Sequence, residues 1–124
     1  MLRNVNVLIA DDSELMRVVM EAFCKKLNSS VIAGTDNIAD TYQILRNSHF
    51  DLLFLDVSMP QSNTDRGTIS ELLQIQPSLK ICVFSGYDKS ALEPEFLNAG
   101  AVSFIQKDEN IATSVEEMVQ KVFN

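Results

Sequence analysis

Apolar residues along the chain gather in short runs, which are separated by segments with a longer apolar period. The five runs are Val5–Ala10, Val31–Gly34, Leu52–Leu55, Leu79–Phe84 and Ala101–Ile105. Several runs are apolar at consecutive positions, which is typical of strands that are covered on both faces of a parallel sheet. Successive runs start more than 20 residues apart, so each gap has room for a helical crossover.

The segments between the runs repeat their apolar residues with the period of an amphipathic helix, about 3.6 residues. Stripes of this kind are formed by Met16, Val19, Phe23 and Leu27, by Ile38, Tyr42 and Leu45, by Ile69, Leu72 and Leu73, and by Ile111, Val115, Met118 and Val122. Strands and helices that alternate in this way predict an α/β fold, a single (βα)5 doubly wound sandwich around a parallel sheet.

Proline and glycine mark several expected helix boundaries. The residue before a proline is biased away from helical geometry, so the fourth helix either begins near Pro94, with the proline at its first position, or is kinked there. We favour the start near Pro94. Gly100 is suited to the position just after the last turn of that helix. The polar stretch from Pro60 to Gly67 predicts a loop, and we expect no helix to begin there before about Asp65.

Length and charge limit the classes of protein to consider. The 124 residues are the size of one domain, and we expect residues 1–124 to form it without an attached output domain. Lys and Arg number 10 against 17 Asp and Glu, which gives a net charge of −7. A domain that binds nucleic acid alone needs a basic surface, so we expect no direct nucleic-acid binding. No apolar run approaches the ~20 residues that span a bilayer, so we expect no membrane insertion.

The two cysteines, Cys24 and Cys82, are far apart and show neither CxxC nor Cys/His spacing. We therefore expect two buried free thiols rather than a disulfide or a pair of metal ligands. Free thiols are typical of a reducing compartment, so the sequence predicts a cytoplasmic location.

Polar residues with chemical potential follow four of the apolar runs. Asp11 and Asp12 follow the first run, Asp56 the third, Ser85 the fourth and Lys107 the fifth. Ligands of open α/β sheets bind beyond the carboxyl ends of the strands. We therefore expect three carboxylates, a hydroxyl and an ammonium to meet at one edge of the sheet.

Three carboxylates at one edge need a counter-charge, because neighbouring carboxylates disfavour each other's ionisation. One lysine leaves the group at about −2, and a hard cation such as Mg²⁺, which takes oxygen ligands, is the natural partner. Asp12 alone could equally serve only to cap the first helix. Asp56 is harder to explain in that way, because it ends the most apolar run, where an uncompensated carboxylate is costly.

A carboxylate held beside a cation, an ammonium and a hydroxyl is a good acceptor for a phosphoryl group. The sequence therefore predicts an acyl phosphate on Asp56, formed on the protein itself. Neither a GxxxxGKS/T loop nor a GxGxxG motif is present, so nucleotide binding is not expected.

Four segments of the chain together resemble bacterial two-component response-regulator receiver domains. Val7–Ser13 is similar to their first strand and the acidic pair after it, and Leu53–Pro60 to their phosphoacceptor motif with its Met-Pro. Val83–Gly86 is similar to their hydroxyl-plus-small pair, and Phe104–Lys107 to their aromatic-x-x-Lys. The resemblance covers nearly the whole chain and implies a flavodoxin-like fold, with a five-stranded sheet in the order 2-1-3-4-5.

The resemblance also implies a role for each acid at the predicted site. Asp56 would be the phosphoacceptor. Asp12 and Asp56, with the main-chain carbonyl of Ser58, would bind Mg²⁺, and Asp11 would reach the ion through water.

Three further residues would act on the phosphoryl group or respond to it. Lys107 would contact the phosphoryl group, and Ser85 would move toward it. Phe104 would be the aromatic side chain that turns inward on activation. The alternative for Phe104 is a plain core residue of the fifth strand.

The chain departs from the family pattern at three places. Thr64 stands where the family normally has a glycine, and Gly67 follows three residues later, so the loop at 60–67 is expected to be lengthened. Asp108 follows the lysine in place of the usual proline, which resembles receivers of helix-turn-helix regulators. Pro94 interrupts a helix that belongs to the family's usual signalling face.

The resemblance implies partners as well. A histidine kinase or a phosphotransfer protein would donate the phosphoryl group, and an output domain or a target protein would respond. A homodimer through the fourth helix, fifth strand and fifth helix is a further expectation. Because a receiver promotes only its own phosphorylation and dephosphorylation, we expect no enzyme with an external substrate.

Two alternative functions stay open at this point. A degenerate receiver would bind partners without being phosphorylated, although the acids and Lys107 are all present. A haloacid-dehalogenase-like phosphohydrolase also uses an aspartyl nucleophile, but it requires Asp-x-Asp where this chain has Asp-Val-Ser from residue 56.

Overall fold

The structure is a computed structural model, and it describes residues 4–57, 65–86 and 89–123. Within these residues, strands and helices alternate along the chain as predicted. The strands are β1 (Asn6–Ala10), β2 (Val31–Thr35), β3 (Leu52–Asp56), β4 (Lys80–Ser85) and β5 (Ser103–Gln106). The helices are α1 (Glu14–Lys26), α2 (Ile38–Asn47), α3 (Arg66–Ile75), α4 (Lys89–Ala99) and α5 (Ile111–Phe123).

The strands form one parallel sheet in the order β2-β1-β3-β4-β5, which confirms the predicted topology. The register aligns the carboxyl ends of the three central strands: Ala10 is opposite Leu55, and Asp56 is opposite Phe84. Residues that end or follow these strands therefore lie at one edge of the sheet. This alignment is what brings the predicted site together.

Two hydrophobic clusters, one on each face of the sheet, make up the core. The cluster that contains Leu53 and Leu55 packs against α2, α3 and α4, and the cluster that contains Leu52 and Phe54 packs against α1 and α5. Every residue of β3 is fully buried, as the consecutive apolar run predicted. Full burial of one such leucine contributes about 1.5–3 kcal/mol, so β3 is the best anchored strand of the sheet.

Both cysteines are buried and free, as predicted. Burial raises the pKa of the Cys24 thiol to about 12, and the nearby carboxylate of Glu21 acts in the same direction. Cys24 and Cys82 both belong to the cluster beneath α1 and α5, where they serve as small apolar side chains. In the part of the chain that the structure describes, no helix is both long and apolar enough to cross a membrane.

α3 begins at Arg66, directly after its N-cap Asp65, which agrees with a helix start at about Asp65. The Asp65 side chain accepts a hydrogen bond from the N–H of Thr68 at 3.2 Å, and the Thr68 hydroxyl accepts one from the N–H of Asp65 at 3.3 Å. This reciprocal pair is a capping box, which satisfies two N–H groups at the start of the helix. Residues 58–64 of the predicted loop, Thr64 included, lie outside the described residues.

The predicted start of α4 is wrong. The helix begins at Lys89 and carries Pro94 in its interior, with Glu93 helical, rather than beginning near the proline. A proline inside a helix removes one backbone hydrogen bond and crowds the preceding turn. The packing of α4 offsets this local cost, because Phe96 is buried in the core and Leu92 packs against the same cluster.

Gly100 ends α4 in the way the sequence predicts. Its φ is +121°, a conformation that glycine adopts without the steric cost of a side chain. The N–H of Ala101 donates to the carbonyl of Phe96 at 3.1 Å, so the chain folds back over the last turn. A Cβ at position 100 would also lie only 2.6 Å from Leu73 Cδ1, so α3 and α4 approach closely at this glycine.

We expect Gly100→Ala to lower the free energy of unfolding by about 2 kcal/mol, because it adds backbone strain and a clash with Leu73. Urea unfolding followed by circular dichroism measures the change. Gly86→Ala is the matched control, because a Cβ there meets no atom within 4 Å. Equal stability of the two variants would contradict the assignment of Gly100 as a required glycine.

Candidate functional site

Three predicted acids lie together at the carboxyl end of the sheet. Each of Asp11, Asp12 and Asp56 offers a carboxylate oxygen, and these oxygens lie within 4.8 Å of one another. Asp11 and Asp56 are fully buried, whereas Asp12 is exposed. The cluster therefore has a closed interior side and one side that is open to a ligand.

Lys107 places its ammonium between the two buried acids. Its Nζ lies 2.9 Å from Asp11 Oδ2 and 3.4 Å from Asp56 Oδ1. The same Nζ lies 5.1 Å from the centre of the Phe84 ring, within the range of a cation–π contact. The lysine N–H donates to the carbonyl of Ser85 at 2.8 Å, which fixes the start of the turn after β5. One ammonium against three carboxylates leaves the cluster short of positive charge.

The environment of Asp11 shows how the protein holds a buried carboxylate. Burial raises the pKa of this carboxyl above its ordinary value, and the neighbouring Asp56 charge acts in the same direction. The N–H of Ser13, which donates to Asp11 Oδ1 at 2.9 Å, and the Lys107 ammonium favour the charged form. Ser13 also caps α1, because its hydroxyl accepts from the N–H of Met16 at 3.2 Å. The capping role considered for Asp12 therefore belongs to Ser13.

The structure places the two predicted switch residues in the interior. Ser85 ends β4, is fully buried and lies opposite Gln106 of β5. Phe104 is also buried and packs against Phe96 of α4, with 5.9 Å between the ring centres. In this structure Phe104 thus faces the core. Ser58, the predicted carbonyl ligand, lies outside the described residues.

The sequence did not predict two further residues that hold the acid cluster. Arg17 of α1 donates from Nη1 to the main-chain carbonyl of Asp11 at 2.8 Å. The N–H of Asp11 donates to the carbonyl of Thr35 at 3.0 Å, so the pairing of β1 with β2 extends one residue further. In the sequence Arg17 follows Met16 shortly after the acidic pair, and this Met-Arg dipeptide is a signal that could have pointed to it.

The donor set suits a hard cation better than a soft one. Among the described residues, the candidate metal ligands that cluster here are carboxylate oxygens, and such hard ligands are preferred by Mg²⁺ and Ca²⁺ rather than by thiolate-binding metals. Asp56 has a second property, since its carboxylate lies beside an ammonium at the end of a rigid strand. A carboxylate in such a setting can act as a nucleophile toward phosphorus.

Comparisons with known proteins agree with this geometry. Residues 7–120 match the family model described as response regulator receiver domain. The chemotaxis protein CheY of Thermotoga maritima is 31% identical over 101 residues, which are 82% of this chain and 83% of that protein. The virulence regulator BvgA of Bordetella pertussis is 31% identical over 105 residues, 85% of this chain and 50% of BvgA.

A solved structure shows the same fold. The isolated REC domain of RcsB from Salmonella enterica serovar Typhimurium, determined in the presence of the phosphomimetic BeF3⁻, superposes with a TM-score of 0.82. The superposition covers 97% of this chain and 91% of that one at 20% sequence identity.

The chain therefore belongs to the response-regulator receiver domain family, the signalling domains of two-component systems. This membership confirms the family resemblance and decides against the phosphohydrolase alternative. The chain spans about half the length of BvgA and of several other curated relatives that it matches.

Proposed function

We propose that Asp56 accepts a phosphoryl group from the phosphohistidine of a histidine kinase or a phosphotransfer protein. The position of Asp56 is the main support for this proposal. Its carboxylate ends the fully buried strand β3, lies 3.4 Å from the Lys107 ammonium and belongs to a cluster of three acids. The chain acts on no substrate other than this aspartate.

The transfer is a substitution at phosphorus. A carboxylate oxygen of Asp56 forms a bond to phosphorus, the P–N bond to the donor imidazole breaks, and the leaving imidazole takes up a proton. Lys107 would offset the negative charge of the transferring oxygens, and the Ser85 hydroxyl would donate a hydrogen bond to one of them. The buried backbone of β3 keeps the nucleophile from moving during the reaction.

Asp11, Asp12 and Asp56 would hold a Mg²⁺ ion, with the carbonyl of Ser58 as a further ligand. When bound, the ion supplies positive charge that screens the transferring oxygens and the acids from one another. The exposed carboxylate of Asp12 supports this assignment, because Mg²⁺ keeps several waters and needs an open side.

Phosphorylation replaces the single negative charge of the Asp56 carboxylate with an acyl phosphate that carries up to two, and so adds about one negative charge at the end of β3. Ser85 and Phe104 would respond to it, and α4, β5 and α5 would present the altered surface to an output domain, a target protein or a second copy of the chain. Packing supports this route, since Phe104 of β5 contacts Phe96 of α4. The reaction belongs in the cytoplasm, where the free thiols of the chain stay reduced.

The test is incubation with Mg²⁺ and acetyl phosphate, followed by intact-mass measurement. We expect a gain of about 80 Da in the wild-type protein, none in Asp56→Asn, and none when EDTA removes the metal. Glu117→Gln, which removes one exposed carboxylate from α5, is the control and should be phosphorylated normally. A wild-type protein that gains no mass, or an Asp56→Asn variant that gains it, would refute the proposal; the first result would favour a degenerate receiver.

A further inference from the structure

A single guanidinium fixes the peptide that joins two of the three acids. Arg17 Nη1 donates to the carbonyl of Asp11, and this carbonyl belongs to the peptide unit between Asp11 and Asp12. The N–H on the other side of Asp11 is bound to the carbonyl of Thr35. Both main-chain polar groups of Asp11 are therefore held by residues outside its own turn.

The orientation of this peptide decides where both carboxylates point. Asp11 is buried against Lys107, whereas Asp12 is exposed, so the two adjacent side chains leave the chain in different directions. A rotation of the peptide plane would shift both carboxylates with respect to Asp56. The hydrogen bond from Arg17 opposes that rotation, because its acceptor lies on the plane itself.

The stem of the Arg17 side chain packs against Gly34 of β2. A Cβ at position 34 would lie 3.4 Å from Arg17 Cδ, so the stem of the arginine crosses β2 where no side chain is present. Arg17 is half-buried and lines, with Asp36 and Asp40, a cleft of about 330 Å³ between α1 and α2. A Cβ alone would make ordinary van der Waals contact with this stem, whereas the two γ-methyl groups of a valine at position 34 would extend further toward it.

We propose that Arg17 is a positioning residue for the acid cluster, and that its hydrogen bond to Asp11 sets the carboxylate geometry that receives Mg²⁺. The inference rests on the proposed function, since it concerns the same metal site. A role of Arg17 through its charge and a role through its position predict opposite effects of its removal on Mg²⁺ affinity. If Arg17 acted only through its charge, its removal would strengthen cation binding; if it acts by position, its removal weakens binding.

The experiment is calorimetric titration of the protein with Mg²⁺ alone. We expect Arg17→Met, which keeps an unbranched stem, to bind Mg²⁺ roughly tenfold more weakly than wild type, as the loss of one hydrogen bond from a charged donor implies. Gly34→Val keeps the charge but displaces the stem, and we expect it to weaken binding in the same direction. Arg46→Met removes the same charge from α2, where Arg46 lies over the Tyr42 ring, and should leave binding within about twofold of wild type.

Phosphorylation by acetyl phosphate supplies the second readout. We expect Arg17→Met to need roughly tenfold more Mg²⁺ than wild type to reach its half-maximal phosphorylation rate, because the variant lowers the affinity for the metal. Unchanged or tighter Mg²⁺ binding by Arg17→Met or by Gly34→Val would overturn the inference while leaving the proposed function intact. Failure of the wild type to bind Mg²⁺ would overturn both.

Discussion

Replacing Lys107 with methionine is expected to slow phosphorylation of Asp56 by two to three orders of magnitude, the usual effect of removing one charge-stabilising donor from an active site. The ammonium lies 3.4 Å from Asp56 Oδ1 and 2.9 Å from Asp11 Oδ2, and its side chain is only 19% exposed. No water at that position could replace the lost charge. The initial rate of mass gain with acetyl phosphate at saturating Mg²⁺ measures the effect.

The same variant should bind Mg²⁺ more tightly than wild type, because the lysine is a fixed cation that competes with the metal for the acids. Slower phosphorylation together with tighter metal binding would separate the role of Lys107 from that of the metal ligands. Lys121→Met, on the exposed face of α5, is the control and should change neither quantity. A Lys107→Met variant that is phosphorylated at the wild-type rate would contradict the assignment.

Replacing Phe104 with alanine is expected to lower the free energy of unfolding by about 3–5 kcal/mol, the usual cost of a large-to-small change in a packed core. Phe104 is 1% exposed, and its ring lies 5.9 Å from that of Phe96. The cavity would open between β5 and α4, and among the described residues the hydrophobic cluster at that place contains no methionine that could fill it. Chemical denaturation gives the difference, and a domain of ordinary stability would still be folded in water.

Two controls distinguish the packing role of Phe104 from a role in signalling. Phe104→Leu keeps most of the volume and should cost less than about 1.5 kcal/mol, while its phosphorylation by acetyl phosphate stays normal. Phe23→Ala removes a half-buried ring from α1 and should cost less than Phe104→Ala. If Phe104→Ala were as stable as wild type, the ring would not be a core residue, and the interpretation as a freely turning switch would be favoured.

The sheet could be predicted from the sequence because its strands carry their own pattern. The consecutive apolar residues from Leu52 to Leu55 mark a strand that is covered on both faces, and the structure buries all of them. The meeting of the acids at one site could be predicted from the same pattern, because parallel strands bring their carboxyl ends to one edge of the sheet. Asp11, Asp56 and Lys107 therefore lie together although they are far apart in the chain.

Features that depend on packing between distant segments could not be predicted in the same way. The local rules for proline suggested a helix start at Pro94, whereas burial of Phe96 against the core outweighs the lost hydrogen bond and keeps Pro94 inside α4. Arg17 contacts the peptide after Asp11 while its stem packs against Gly34, on a neighbouring strand. No local pattern in the sequence encodes the distance between Arg17 and Gly34.

The proline in α4 also determines how the helix opens. The turn before Pro94 is joined to the remainder of α4 by one backbone hydrogen bond fewer, whereas the turn after it is anchored by Phe96. Local opening of the first turn therefore costs less free energy than unfolding of the domain, and its amide hydrogens exchange with solvent sooner than those that follow the proline. Because helices of a parallel α/β fold begin at the edge where the acids lie, the part of α4 nearest to Asp56 is the part that can rearrange while the core stays folded.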